Sequence, residues 1–274
     1  MTRRGYLASG TGGNGAAGAL LALLLAGGCA HAADAARGGP IYSYIRSNRD
    51  GSEAETIHVH LAGPGRVEVT KMRERCTNAT FVTADIAAGE AVRLTGGRLK
   101  LGAGHEDFAE LALRGRTIEA RLTAPDGELR QAVGVPDRPW HLYDFDLASL
   151  SAAPPPALRA RRDFTFGVAL VWLGENPAEF LRYLGRADAR FVREETYGGR
   201  RALRYALGGP AFGGAMGGSI WFDAARGFVV GADLGRPNHA EYRDFRLRLT
   251  GVASGAKTWK RLLEAHFEGC ASSS

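Results

Sequence analysis

Two histidines separated by one residue are the first candidates for chemistry in this sequence. His58 and His60 lie in the alternating stretch 56–61, so a strand would place both imidazoles on one face, where they could bind a metal ion. No third ligand lies nearby, and the chain has neither a His-x-x-x-His nor a Cys-x-x-Cys pair. We therefore interpret them as histidines on the exposed face of a strand, and the sequence predicts no metal and no cofactor.

Hydrolysis has two further candidates. Ser219 follows a glycine pair but leads directly into a predicted strand, and the chain lacks the G-x-S-x-G elbow of many serine hydrolases. Asp144 and Asp146 would point the same way from a strand, whereas the paired carboxylates of glycosidases normally come from different strands across a cleft. We interpret them as adjacent solvent-facing acids. The sequence favours a non-catalytic protein and leaves a hydrolase as the alternative.

A glycine-rich segment, residues 208–219, contains six glycines in twelve residues. It lacks the lysine and the strand-to-helix context of a phosphate-binding loop. It is either a flexible hairpin loop or a mobile flap whose two large side chains contact an apolar ligand. With Trp172 and Trp221 from predicted strands added, the predicted ligand-binding residues are Trp172, Phe212, Met216 and Trp221.

Short strands separated by glycine, proline and aspartate turns must position these residues. Their spacing of roughly ten residues predicts a mostly β protein, either two antiparallel meander lobes or one large curved sheet or half-barrel. Two short helices are predicted at about 176–185 and 255–268. Asn176 would cap the first helix and Gly185 would end it, while Ser254 would cap the second, which we expect to pack on a sheet.

A proline run divides the chain. Pro154, Pro155 and Pro156 forbid helix and disfavour strand pairing. We predict an N-terminal β-meander lobe over residues 33–150, a proline-rich linker over 151–163, and a C-terminal β lobe with the two helices over 164–274.

The charge distribution limits the choice of partners. The chain has 35 basic and 29 acidic residues, a formal net charge of +6, and its arginines are interspersed with acids. Arginines at alternating positions indicate the solvated face of strands, whereas a block of cations would suggest nucleic acid. The sequence predicts no nucleic-acid partner.

The first 32 residues have the layout of a removable signal peptide, with cleavage between Ala32 and Ala33. The apolar run 16–26 is too short to cross a bilayer, so no transmembrane span is predicted in the mature chain. Arg3 and Arg4, followed by Gly5-Tyr6-Leu7, resemble the twin-arginine export signal. Residues 25–29 also resemble a lipobox, in which Cys29 would be acylated and become the mature N-terminus.

The remaining cysteines are Cys76 and Cys270. If Cys29 leaves with the signal or carries a lipid, an even pair remains in an oxidising compartment. We predict a disulfide between them, with two buried or unpaired thiols as the alternative.

The C-terminal third resembles the periplasmic lipoprotein-carrier family, which includes the Lol carriers and the regulator RseB. The match lies in Ile220, Trp221, Phe222, Asp223 and Gly227, followed by a third strand at 241–249. The resemblance implies an open, strongly curved antiparallel sheet that binds acyl chains or lipidated peptides between the sheet and its covering helices.

These observations together predict an exported protein, periplasmic or secreted, that binds an apolar or lipidic ligand or a protein partner on a curved sheet. A carrier would have a dry groove lined by residues such as Trp172, Phe212 and Trp221. The alternatives are a periplasmic hydrolase, with polar groups of perturbed pKa in one cleft, and a structural envelope lipoprotein anchored through Cys29.

Overall fold

The computed structural model describes residues 38–125, 127–173, 176 and 179–270. Within them, fifteen strands form one continuous sheet. The strands are β1 (Pro40–Ser47), β2 (Glu55–Gly63), β3 (Arg66–Met72), β4 (Thr80–Ala87), β5 (Glu90–Leu99), β6 (His105–Arg114), β7 (Thr117–Ala124), β8 (Gly127–Gly134), β9 (Trp140–Leu142), β10 (Phe164–Val171), β11 (Leu181–Tyr197), β12 (Arg200–Gly208), β13 (Gly218–Asp223), β14 (Val229–Leu234) and β15 (Phe245–Ser254).

Two meanders make up this sheet. Strands β1 to β8 pair in chain order, strands β9 to β15 do the same, and β1 joins the two halves by pairing with β15. All neighbours are antiparallel except β9 and β10. The sheet is curved and open, with β8 and β9 as its edges, which confirms the mostly β prediction and selects one large sheet over two lobes. The assignment of 33–150, 151–163 and 164–274 as separate units stays a prediction.

The main core lies on the inner side of the curved sheet, and we call this enclosed space the curl. Residues 135–163, which connect the two meanders and are called the crossover segment, pass through this interior. They contact strands of both halves: Lys71 of β3 donates to the Asp144 carbonyl, and the Val229 N–H of β14 donates to Ser151 Oγ at 3.1 Å. Trp140 and Leu150 of the segment are fully buried. The chain itself therefore fills the space that the curvature creates.

Two α-helices occur among the described residues. Helix α1 (Ala148–Ala152) belongs to the crossover segment, and helix α2 (Ala256–Ala265) follows β15. Helix α2 confirms the prediction for 255–268, although it begins after Gly255 without a side-chain cap, so Ser254 ends a strand instead. No helix in the described ranges has both the length and the apolar character needed to span a bilayer.

The outer face of the sheet is covered at one end by α2. Trp259 and Leu263 of the helix pack on Ile41 and Phe81 in a second, smaller core. Just beyond the helix, Cys270 forms the predicted disulfide with Cys76, which follows β3. The bridge fixes the end of the chain to the N-terminal half.

The prediction of a helix at 176–185 is wrong for residues 181–185, because Leu181 begins the 17-residue strand β11. Pro177 and Ala178 of the predicted cap lie outside the described residues. Gly185, interpreted as a helix end, has φ +109° at a register shift where Val168 pairs with Gly185 and Ala169 pairs with Tyr183. The extra residue at this bulge breaks the period-two pattern, and the broken pattern mimics a helical stripe.

Candidate functional site

A cluster of charged side chains lies inside the curl, where the crossover segment meets β1 and β3. The Asp146 carboxylate is completely buried and lies 2.7 Å from Lys71 Nζ and 3.6 Å from Arg46 Nε. Lys71 and Arg46 are themselves only 4% and 1% exposed. Asn238 Nδ2 donates to the same carboxylate at 2.9 Å. Two cations and one acid thus share a site that water does not reach freely.

The backbone of the crossover segment points the carboxylate inward. A 3-10 turn spans Tyr143–Phe145, and Asp146 and Leu147 then adopt left-handed conformations with φ of +51° and +62°. Two consecutive left-handed non-glycine residues are unfavourable and persist only where surrounding contacts hold them. The ion pairs to Asp146 and the buried side chain of Leu147 supply those contacts.

The ionisation states of the cluster follow from its burial. Burial raises the pKa of Asp146, but Lys71 and Arg46 outweigh burial, so this pKa lies below its ordinary value. Burial and the nearby Lys71 lower the pKa of His239 to about 2, so His239 is neutral. Burial raises the pKa of Asp144 to about 6, against the opposing attraction of Lys71. Asp146 is therefore the permanent anion of the cluster.

The cluster satisfies itself instead of facing a substrate. Arg46 contacts Glu55 at 3.3 Å and stacks on the Tyr242 ring, with its guanidinium carbon 3.3 Å from the ring centroid. Lys71 Nζ lies 3.1 Å from His239 Nε2. This arrangement can fix the crossover segment to the sheet, but it leaves no space for a reacting molecule.

An apolar groove opens at the rim of the curl, between the outer strands of the first meander and the connection from β10 to β11. Its cavity volume is about 620 Å³. Phe108, Leu122, Leu129 and Leu173 line it, and Leu173 is 59% exposed. We call this the rim groove. It is apolar and open, in contrast to the closed polar cluster.

Two local features shape the rim groove. Gly96 of β5 pairs with Ala109 of β6, and Gly97 pairs with Asp107, so Phe108 is an extra residue without a partner in β5. This bulge interrupts the alternation of side chains between the two faces of β6 at Phe108. At the far side, the Gln131 side chain of β8 binds the Leu181 backbone of β11, accepting from its N–H at 2.7 Å and donating to its carbonyl at 2.6 Å. This side-chain amide links the two halves of the sheet across the rim.

One cation, Arg98, and one acid, Glu106, line the mouth of the rim groove. The Arg98 guanidinium lies 5.7 Å from the Phe108 ring centroid. Lys100 pairs with Glu106 at 2.6 Å, and Glu106 has its pKa lowered by Lys100 and, more weakly, by Arg98. Because Lys100, which is outside the lining, already pairs with Glu106, Arg98 is left to attract an anionic end on a bound molecule.

The four predicted ligand-binding residues do not share a groove. Phe212 is buried inside the curl, with its ring edge-to-face on Tyr143 at 5.3 Å. Trp221 faces the opposite side of the sheet, because its neighbour Phe222 packs inward. Met216 is 41% exposed, and half-buried Trp172 precedes the rim-groove residue Leu173. Their ligand role stays a prediction.

The glycine-rich segment is folded back on the chain. The Gly235 N–H donates to the Gly217 carbonyl at 3.0 Å, and the Arg236 N–H donates to the Met216 carbonyl at 3.1 Å. A Cβ on Gly235 would collide with the Ala215 carbonyl oxygen, so this contact requires glycine. The prediction of a mobile flap that presents Phe212 does not fit, since Phe212 belongs to the core.

The two histidines are not on an exposed face. His60 is buried beneath α2, with Nδ1 3.3 Å from Glu68 Oε2 and its ring 5.0 Å from that of Trp259. His58 Nδ1 lies 2.8 Å from Ser43 Oγ, and burial lowers the pKa of His58 to about 4. Prediction of exposure failed because α2, some 200 residues later, covers this face.

The hydrolytic candidates also differ from expectation. Ser219 is the second residue of β13, and its Oγ accepts from Arg204 Nε at 3.2 Å. Asp144 and Asp146 are not solvent-facing acids, since Asp146 is buried and Asp144 Oδ1 accepts the Val171 N–H at 3.0 Å. Over the ranges given above, no three His, Cys, Asp or Glu side chains converge as metal ligands.

The export signals lie outside the described residues. Arg3, Arg4, Cys29, Ala32 and Ala33 all belong to that stretch, and their roles stay predictions.

Similarity to known proteins is limited to the fold level. No protein-family model and no curated protein matches the chain. A beta-barrel-like protein of a domain of unknown function from Brucella abortus aligns over 80% of this chain and 99% of its own, at 8% identity and a TM-score of 0.44.

MucB aligns over 86% of this chain and 60% of its own, at 9% identity and a TM-score of 0.28. A domain described as an outer membrane lipoprotein-sorting protein from Vibrio parahaemolyticus aligns over 83% and 92%, at 10% identity and a TM-score of 0.22. At TM-scores below 0.5, function has to be argued from this chain's own geometry.

Proposed function

We propose that this chain is an exported envelope protein that binds an apolar or lipidic ligand in the rim groove without catalysing a reaction. The observation that carries the proposal is the open apolar groove of about 620 Å³ with the exposed Leu173 at its wall. This volume lies within the range of roughly 300–1,000 Å³ typical of small-molecule sites. A solvent-exposed leucine beside a phenylalanine gains stability when an apolar chain covers both.

The chemistry of the mouth selects the kind of ligand. Glu106 is paired with Lys100, which leaves Arg98 of the lining to pair with a headgroup, so an acyl chain with an anionic headgroup fits better than a neutral or cationic amphiphile. The interior of the curl is already occupied by the crossover segment, so the ligand lies at the rim.

The buried cluster supports a non-catalytic role. A catalytic acid or base must reach its substrate, and Arg46, Lys71 and Asp146 are sealed between the crossover segment and the sheet. None of them lines the rim groove.

Export is supported by the predicted leader and by the disulfide between Cys76 and Cys270, since structural disulfides persist in oxidising compartments. Mass spectrometry of the mature N-terminus distinguishes soluble release from anchoring. We expect Ala33 as the first residue, whereas an acylated Cys29 would establish the lipoprotein alternative.

A fatty-acid displacement assay tests the ligand site. Leu173→Asp places a charge in the rim groove, and Leu101→Asp is the matched control, because Leu101 is 71% exposed and outside the groove. Losing the burial of one leucine costs about 2 kcal/mol, so we expect at least tenfold weaker binding for Leu173→Asp and unchanged binding for Leu101→Asp. Equal binding by all three proteins, or no binding by the wild type, would overturn the proposal.

A further inference from the structure

The net positive charge of the chain is concentrated in one hairpin. Strands β11 and β12, with their turn, span residues 181–208 and contain seven arginines and three acidic residues, an excess of four. The whole chain has a formal net charge of +6. The alternating arginines are on the solvated face of strands, as predicted, but the excess is confined to one part of that face.

The strand register sets these arginines in rows across the outer face. Arg193 pairs with Arg204, which pairs with Trp221, and the row continues through Gly231 to Arg248. At the usual strand spacing this row spans roughly 19 Å.

The next row runs from β11 to β15 beside the first. Its members are Arg190, Ala206, Ser219, Asp233 and Arg246. We call the five arginines of the two rows the arginine face: Arg190, Arg193, Arg204, Arg246 and Arg248.

The acids near this face do not neutralise it. Glu195 pairs with Arg193 at 2.5 Å, and Asp233 is shared by Arg246 and Arg49. In the part of the chain that the structure describes, no carboxylate lies within 4.0 Å of the Arg190, Arg204 or Arg248 guanidinium. Arg193 and Arg204 are also direct cross-strand neighbours, which is unfavourable for like charges unless an anion lies between them.

The centre of the arginine face is flat and held in place. Arg204 Nε donates to Ser219 Oγ at 3.2 Å, and its guanidinium lies 5.6 Å from the Trp221 ring centroid. Trp221 stacks on Tyr197 at 4.2 Å. Gly231 beneath them is required, because a Cβ there would lie 2.6 Å from Tyr197 Cε1. Among the described residues the terminal nitrogens of Arg204 make no hydrogen bond or ion pair, although Glu195, which accepts from Trp221 Nε1 at 2.6 Å, is near enough to attract this guanidinium.

We propose that the arginine face docks the protein on an anionic lipid surface. A flat array of guanidinium groups matches the many phosphates that a bilayer surface presents side by side, and arginine binds phosphate through paired hydrogen bonds. An acidic peptide would be better accommodated by a groove or a free strand edge, and the face has neither. The proposal does not depend on the occupant of the rim groove, which is lined by other residues.

Co-sedimentation of the purified protein with vesicles tests the proposal. The vesicles contain phosphatidylcholine alone or mixed with phosphatidylglycerol. We expect binding to the mixed vesicles only, and weaker binding at high salt, because mobile ions screen surface charges. The combined variant Arg190→Gln, Arg204→Gln and Arg248→Gln should bind about tenfold or more weakly.

The matched control removes three exposed arginines from elsewhere, through Arg114→Gln, Arg130→Gln and Arg261→Gln. It changes the net charge equally and should retain wild-type binding, with folding of both variants checked by circular dichroism. Equal losses in the two triple variants would reduce the effect to net charge and overturn the proposal. So would a wild type that ignores anionic vesicles, or one that binds soluble polyglutamate as tightly as the vesicles.

Discussion

The two faces of the sheet differ in how their charged side chains are paired. On the inner face, Lys71 and Arg46 are removed from water and paired with acids, both with Asp146 and Arg46 also with Glu55. On the outer face, Arg190, Arg204 and Arg248 lack carboxylate partners among the described residues. Burying an unpaired charge costs free energy because the charge loses its hydration, whereas an exposed charge stays hydrated. The inner face is therefore built for internal connection and the outer face is free to bind.

This difference shows that a curved sheet does not by itself provide a ligand cavity. The crossover segment occupies much of the interior, and the rim groove around Leu173 is the larger of two apolar pockets, the other lying beside Pro139 and Phe166. Removing the buried Asp146 ion pairs and removing the Cys76–Cys270 disulfide beside α2 should therefore lower stability by unequal amounts.

The largest effect is expected inside the curl. Asp146→Ala leaves buried Lys71 without its anion and Arg46 with Glu55 alone, which should lower the free energy of unfolding by about 3–5 kcal/mol. Urea denaturation followed by tryptophan fluorescence measures this loss.

Asp85→Ala is the exposed control, because it removes an ion pair with Arg66 whose partners are 47% and 43% exposed. Its loss should stay below about 1 kcal/mol. Similar losses for the two variants would contradict the view that the buried cluster holds the crossover segment in place.

The next largest effect is expected from the disulfide beside α2 on the outer face of the sheet. Replacing Cys76 and Cys270 by serine opens a loop of sequence separation 194, and the free energy of unfolding should fall by about 2–4 kcal/mol. Dithiothreitol should produce the same shift in the wild type and none in the serine variant. A wild type indifferent to the reductant would show that α2 is held by Trp259 and Leu263 alone.

The smallest effect separates the two aspartates of the crossover segment. The folded-state pKa of Asp144 is about 6, above the value of 3.8 for an unperturbed aspartate. Its contribution to stability is thus fully present below pH 3.8 and is lost as pH rises through 6. Asp144→Asn should be more stable than the wild type by at most about 3 kcal/mol at pH 8 and nearly equal to it near pH 4. An equal difference at both pH values would contradict the raised pKa.

Local sequence patterns were sufficient to locate most strands. The stretch 66–72 alternates and is flanked by turn residues, and it forms β3 over the same residues. The alternation of Phe245 and Leu247 with Arg246 and Arg248 likewise matches the inner and outer sides of β15. These features depend only on neighbours along the chain.

Features that depend on distant contacts escaped sequence reasoning. Asp146 is buried because Lys71 and Arg46 approach from strands that precede it by 75 residues or more. The bulge at Gly185 is set by pairing with β10, and the rim groove depends on Gln131 reaching Leu181. The one available signal for the groove was an apolar Leu173 beyond the end of a strand.

The central claim is that an apolar ligand binds at the rim and not inside the curl. Methyl NMR spectra of the protein with a spin-labelled fatty acid test this directly, because the label broadens only nearby resonances. We predict loss of the Leu129 and Leu173 methyl signals while those of the interior residues Leu147 and Leu150 persist. Broadening of Leu147 and Leu150 with intact Leu173 signals would contradict the account.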